Sequence, residues 1–118
     1  MNRFSFNARR IAVLIGFVAT AGSFVAVDAV MAAPAKTQSV AIKGIAFVPH
    51  VITVAPGTTI TWTNADEDPH TVSANDNSFH SSALDTNDKY SFTFNRPGDF
   101  AYFCSLHPHM TGKIIVKG

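Results

Sequence analysis

Between Thr58 and Asn64 apolar and polar side chains alternate, with Ile60 and Trp62 on one side and Thr59, Thr61 and Thr63 on the other. A period of two places successive side chains on opposite faces of a strand, so this segment predicts a half-buried β-strand. Tyr90, Phe92 and Phe94 alternate with Ser91 and Thr93 and predict a second. Shorter runs bounded by turn residues predict four more. They are Val40 and Ile42 before Lys43-Gly44, Val51–Val54 before Ala55-Pro56-Gly57, Asp99–Cys104 after Arg96-Pro97-Gly98, and a closing strand over Lys113–Lys117. Residues 64–88 are polar and rich in Asp, Asn and Ser, which predicts loops with short strands. Short strands separated by turns predict an all-β sandwich or barrel whose alternating aromatic and branched side chains form the core.

The beginning of the chain follows another pattern. Residues 1–10 carry Arg3, Arg9 and Arg10 and no acid, and residues 11–27 are almost wholly apolar and small. A basic start, an apolar middle and a small-residue exit describe a secretory signal peptide, with cleavage expected after Ala32. The apolar run is also close to the minimum length of a membrane span, so an uncleaved anchor is the competing reading. Arg9-Arg10 fits a twin-arginine signal poorly, and no cysteine stands at the cleavage site for lipidation. The expected organisation is a signal peptide over 1–32, a flexible leader over 33–38 and one domain over 39–118.

Removing residues 1–32 changes the charge. The whole chain has a formal charge of +1. The remainder keeps Lys36, Lys43, Lys89, Arg96, Lys113 and Lys117 against seven acids, close to −1. No basic stripe is left for nucleic acid. A domain of this size is marginal on its hydrophobic core alone, and its one cysteine rules out an internal disulfide, so either the core suffices or a metal helps.

The candidate chemistry lies in Cys104-Ser105-Leu106-His107-Pro108-His109-Met110. Singly, a cysteine is a small buried hydrophobe, a histidine is solvated and a methionine is packing. Together, a strand ending in Cys, with His three positions on and Met three beyond, makes a compact loop that can turn three side chains toward one point. Pro69-His70-Thr71, in the polar loop after the Trp62 strand, offers a second imidazole. One thiolate, two imidazoles and a weak thioether are the donor set of blue-copper electron-transfer sites. The candidate ligands are therefore His70, Cys104, His107 and Met110.

The chain resembles the cupredoxins of the plastocyanin–azurin family, and the short Cys-x2-His-x2-Met loop is similar to the amicyanin-type branch; plastocyanins and pseudoazurins typically have a longer His-to-Met spacing. The likeness extends over Phe47-Val48-Pro49, Val54–Thr58, Thr61–Asn64, Pro69-His70, Phe94–Gly98, Tyr102–Cys104 and Gly112–Val116. It implies a Greek-key β-sandwich with one type 1 copper cycling between Cu(I) and Cu(II). It also implies a monomer that shuttles single electrons between larger redox proteins in the bacterial periplasm, with a dehydrogenase or a c-type cytochrome as partners. The ring edge of His107 would reach the surface inside a docking patch of Pro69, Leu106 and Pro108. Two departures stand out. Thr71 occupies a position where the family often has Asn, so Thr71 and Ser105 are expected to join the loops through their hydroxyls. His109 lies inside the ligand loop, where the plain reading is an exposed loop residue. His50 and His80 read as solvated.

Other function classes compete. The same ligands suit a copper carrier or copper-tolerance protein without a shuttle role, although a carrier would more often show further Met and His clusters. A cysteine-nucleophile enzyme is disfavoured, because three-residue spacing on a tight loop does not present a base to the thiolate and no orienting third group is evident. A nitrite reductase resembles two such domains with a second copper, for which this chain is too short. The expectation is a protein that is not an enzyme, with no stable membrane association unless the signal remains uncleaved. Zinc could occupy the same donors in a preparation.

Overall fold

The computed structural model describes residues 36–118; the expected signal peptide and residues 33–35 lie outside them. The described residues form eight strands: β1 Thr37–Ile42, β2 Phe47–Val48, β3 Val51–Val54, β4 Thr58–Asn64, β5 Ser73–Ala74, β6 Lys89–Phe94, β7 Gly98–Cys104 and β8 His107–Val116. They are arranged as two four-stranded sheets, ordered β2-β1-β4-β6 and β3-β8-β7-β5. Parallel pairs (β1 with β4, β3 with β8) are combined with antiparallel ones, and β2 and β3 belong to different sheets although they are neighbours in sequence. This agrees with the Greek-key sandwich expected, and none of the described residues is helical.

Alternation decides which faces meet. Thr58, Ile60, Trp62 and Asn64 of β4 are buried, while Thr59, Thr61 and Thr63 are half-exposed. Across the antiparallel β4–β6 pair Thr59 bonds Thr93 at 2.7 Å and Thr61 bonds Ser91 at 2.7 Å, which completes the outer face with hydroxyls. The inner faces enclose an aromatic cluster around the fully buried Trp62, with ring centroids 5.9 Å to Phe79 and 5.5 Å to Tyr102. Burial pushes the Tyr102 phenol up to about 12. Gly112 of β8 lies directly against this ring: a Cβ there would fall 2.5 Å from Tyr102 Cζ, so only glycine lets β8 approach.

Three boundaries differ from the sequence expectation. β1 starts at Thr37, within the expected leader, because Thr37 and Gln38 pair in parallel with Thr59 and Ile60. Their exposed side chains carry no apolar signal. β7 takes in Gly98, which pairs with Val116. The largest difference is β8, which begins at His107 instead of Lys113 and pairs antiparallel with β7 through Thr111–Val116 and again at His107, with Pro108, His109 and Met110 left without a partner on β7. Cys104 lies opposite His107, with a register shift between Phe103 and Cys104. The expected ligand loop is thus a hairpin closed by Ser105 and Leu106, and His107–Met110 are strand residues.

Candidate metal centre

Cys104 ends β7 and is fully buried. The hairpin returns His107 beside it, and Cys104 Sγ lies 3.8 Å from His107 Nδ1. The second imidazole comes from the long connection between β4 and β5. His70 is fully buried, and its Nδ1 lies 3.8 Å from the same sulfur. The His70 and His107 rings have centroids 4.8 Å apart, and the three donor atoms lie within 4.8 Å of one another. Met110, the fourth candidate, is buried in β8. The structure therefore gathers His70, Cys104 and His107 at one point and places Met110 on the same strand as His107.

The geometry suits a single ion. Both S···N separations, at 3.8 Å, are short enough for the sulfur and each nitrogen to share one ion. Two imidazoles and a thiolate so placed would suit copper, which would supply one-electron chemistry there. No other group of His, Cys, Asp and Glu side chains converges in this way among the described residues.

Hydrogen bonds hold the donors in place. His70 pairs with Leu84 through both backbone groups, His70 N to Leu84 O at 3.1 Å and Leu84 N to His70 O at 2.7 Å. The Thr71 N–H donates toward Cys104 Sγ at 3.3 Å and ties the sulfur to the His70 connection. Thr71 Oγ1 accepts from Ser105 N at 2.8 Å and lies 2.9 Å from Ser105 Oγ. The two hydroxyls thus join the His70 connection to the ligand hairpin, as expected from Thr71 in place of Asn.

The other face of His70 meets a residue absent from the expected site. His70 Nε2 lies 3.0 Å from Asp66 Oδ2. An ionised carboxylate only accepts, so Nε2 carries the ring proton and Nδ1 turns its lone pair toward the sulfur. Asp66 also accepts from Gly44 N at 2.7 Å and Ile45 N at 2.8 Å. The Ile45 N–H does most to hold its carboxyl below the usual value. Buried Asn64 shapes the turn that presents Asp66: its Oδ1 accepts from Asp66 N at 2.9 Å, and its Nδ2 donates to the carbonyls of Asp68 and Leu84. An Asn whose oxygen caps the N–H two residues on is an Asx-turn, and this was the local signal for the Asp66 position.

Around the half-exposed His107, the side chains of Ile45, Leu106, Pro108, His109 and Met110 line an open apolar hollow. Leu106 is 50% exposed and Ile45 49% exposed. Pro69 is exposed but does not line this hollow; Ile45, remote in sequence, takes part instead. His109 is exposed, as are His50 and His80.

Comparison with known proteins agrees with this geometry. A family model described as a cupredoxin-like domain matches residues 11–116. The chain is 35% identical to amicyanin-alpha of Methylorubrum extorquens over 112 residues, covering 90% of this chain and 94% of the relative. Among solved structures it resembles a purple cupredoxin from Nitrosopumilus maritimus (TM-score 0.64, 29% identity, 67% of this chain and 98% of the other). It also resembles a copper-containing nitrite reductase from Thermus scotoductus (TM-score 0.67, 31% identity), covering 80% of this chain but 25% of that enzyme. The two sheets, the His–Cys–His cluster and these likenesses agree: the chain belongs to the cupredoxin-like family, on its amicyanin-like side.

Proposed function

We propose that this protein is a type 1 copper electron-transfer protein of the bacterial periplasm, with His70, Cys104, His107 and Met110 as the copper ligands. The observation that carries the reading is the buried Cys104 sulfur with two imidazole Nδ1 atoms, each 3.8 Å away. Bound copper supplies one-electron chemistry between Cu(I) and Cu(II). The protein's part is to keep the donors still. The His70–Leu84 backbone pair, the Thr71 N–H to sulfur and the Thr71–Ser105 bridge fix them before any ion arrives. A donor set that does not rearrange between oxidation states lowers the barrier to electron transfer.

The same features favour a shuttle over a carrier. His70 and Cys104 are both fully buried, which suits retention of an ion more than its handover. Electrons would pass through His107, the donor that reaches the surface, where a redox protein such as a c-type cytochrome or a dehydrogenase would dock on the apolar hollow. Cu(II) loading followed by visible spectroscopy tests the site. An intense thiolate-to-copper band is expected in the wild type and its loss in Cys104→Ser; a colourless wild type would refute the assignment. Reversible voltammetry without copper loss then separates shuttle from carrier.

A further inference from the structure

The turn between β1 and β2 is strained in a way that points to the metal centre. Gly44 and Ile45 have φ of 64° and 56°, two consecutive left-handed residues. Lys43 N bonds Ala46 O at 2.9 Å, so the turn is a two-residue hairpin of the kind that favours Asn-Gly. A β-branched side chain at positive φ is an outlier, because its Cβ crowds the following carbonyl oxygen. Successive N–H groups in such a turn form a concave anion site. The anion here is the Asp66 carboxylate, 21 residues away from Ile45 in the chain.

We propose that Asp66 is a positioning residue that fastens the strained Gly44–Ile45 turn to the imidazole of His70. Its Oδ1 takes the Gly44 N–H, and its Oδ2 takes both the Ile45 N–H and the His70 Nε2–H. One carboxylate therefore fixes the tautomer and tilt of a buried ring and holds Ile45 in its exposed place beside His107. Accepting the ring proton also makes His70 a more electron-rich donor. An amide cannot replace this group, because Asn has one acceptor oxygen for three donors. The inference rests on His70 being a ligand in so far as it concerns the metal; the fastening of the turn does not need that reading.

The test compares wild type with Asp66→Asn, Asp66→Ala and Asp66→Glu. In the metal-free protein, amide hydrogen exchange at Gly44 and Ile45 and the slow exchange of the His70 ring N–H are read by NMR. Protection at all three sites is expected in the wild type and its loss in Asp66→Ala; Asp66→Asn should lose at least one of the three. In the copper-loaded protein, the thiolate band should persist in Asp66→Asn. The midpoint potential should rise, and Cu(II) affinity in a chelator competition should fall by roughly 10-fold or more. Asp66→Glu should recover part of both losses. Unchanged exchange at Gly44 and Ile45 in a folded Asp66→Ala variant would overturn the fastening. An unchanged potential and affinity in Asp66→Asn would overturn its effect on His70. Should the wild type show no thiolate band, the ligand assignment fails, while the metal-free exchange data still decide the fastening.

Discussion

Thr71→Val removes one hydroxyl from the centre and nothing else of its shape. The Thr71 side chain is nearly buried, at 7% exposure, and its oxygen accepts the Ser105 N–H at 2.8 Å. Losing that acceptor leaves the N–H of the hairpin turn without its protein partner. A fully buried orphaned donor costs about 1–3 kcal/mol. Ser105 is itself exposed, so water recovers part of this and the expected loss is about 1–2 kcal/mol. For a domain of this size that corresponds to a fall in Tm of roughly 5–15 °C. Ser105→Ala, which removes only the exposed hydroxyl, should cost within about 0.5 kcal/mol.

The assay is urea unfolding of the metal-free protein. Fluorescence of Trp62, the one tryptophan of the chain and fully buried, reports the transition. The midpoint should fall in Thr71→Val with an unchanged slope, since no extra surface is exposed on unfolding. The Thr71→Val, Ser105→Ala double variant should be no less stable than Thr71→Val alone, because the two hydroxyls act as one unit. The visible band should survive copper loading, because the contact to sulfur at 3.3 Å comes from the backbone N–H, which the substitution keeps. An unchanged urea midpoint would refute the argument that the Thr71 hydroxyl ties the His70 connection to the hairpin. Loss of the band would refute the separation between holding the loops and binding the ion.

Two further predictions concern the core beneath the centre. Gly112→Ala drives a methyl to 2.5 Å from Tyr102 Cζ, and the ring cannot retreat because Phe47 and Trp62 lie 4.6 and 5.5 Å away, so a loss of about 1–3 kcal/mol is expected in urea unfolding; an unchanged midpoint would show that β8 can shift outward. Tyr102 is held protonated up to about 12, so above pH 10 the unfolded chain loses a phenolic proton that the folded one keeps, and stability falls as pH rises from 10 toward 12. The full loss is on the order of 3 kcal/mol, and an equal alkaline loss in Tyr102→Phe would remove Tyr102 as its cause.

Much of this structure is legible where side chains alternate. β4 and β6 announce themselves because one face is buried and the other is hydroxylated, as the Thr59–Thr93 and Thr61–Ser91 bonds make plain. The start of β1 is not legible, because Thr37 and Gln38 are held by backbone pairing alone and their side chains face water. The same reason hides the start of β8. His107–Met110 look like a loop by composition, and of them only His107 has a partner on β7, Cys104. Three donors within reach of one another follow from chain spacing plus one remote histidine, whereas the contact of Asp66 with Ile45 does not. Their contact joins residues 21 apart in the chain and depends on a backbone conformation that isoleucine rarely adopts.

That the segment carrying Cys104 and His107 is a hairpin bears on what the candidate centre can do. A loop can follow an ion as its preferred geometry changes with oxidation state; His107, paired opposite Cys104, cannot do so without breaking that pair, although Pro108, His109 and Met110 stand outside the ladder. Thr71 and Ser105 fasten the His70 connection to that hairpin, and Asp66 fastens His70 to the β1–β2 turn. The donors are thus held by both sheets at once. Resistance to rearrangement then comes from hydrogen bonds that exist without the ion, and the softer elements are left at the rim. Leu106 closes the hairpin in the open, and Ile45 stands on a strained turn. Both are on the face where His107 is accessible. Side chains with room to adjust thus stand in front of donors that hydrogen bonds hold in place.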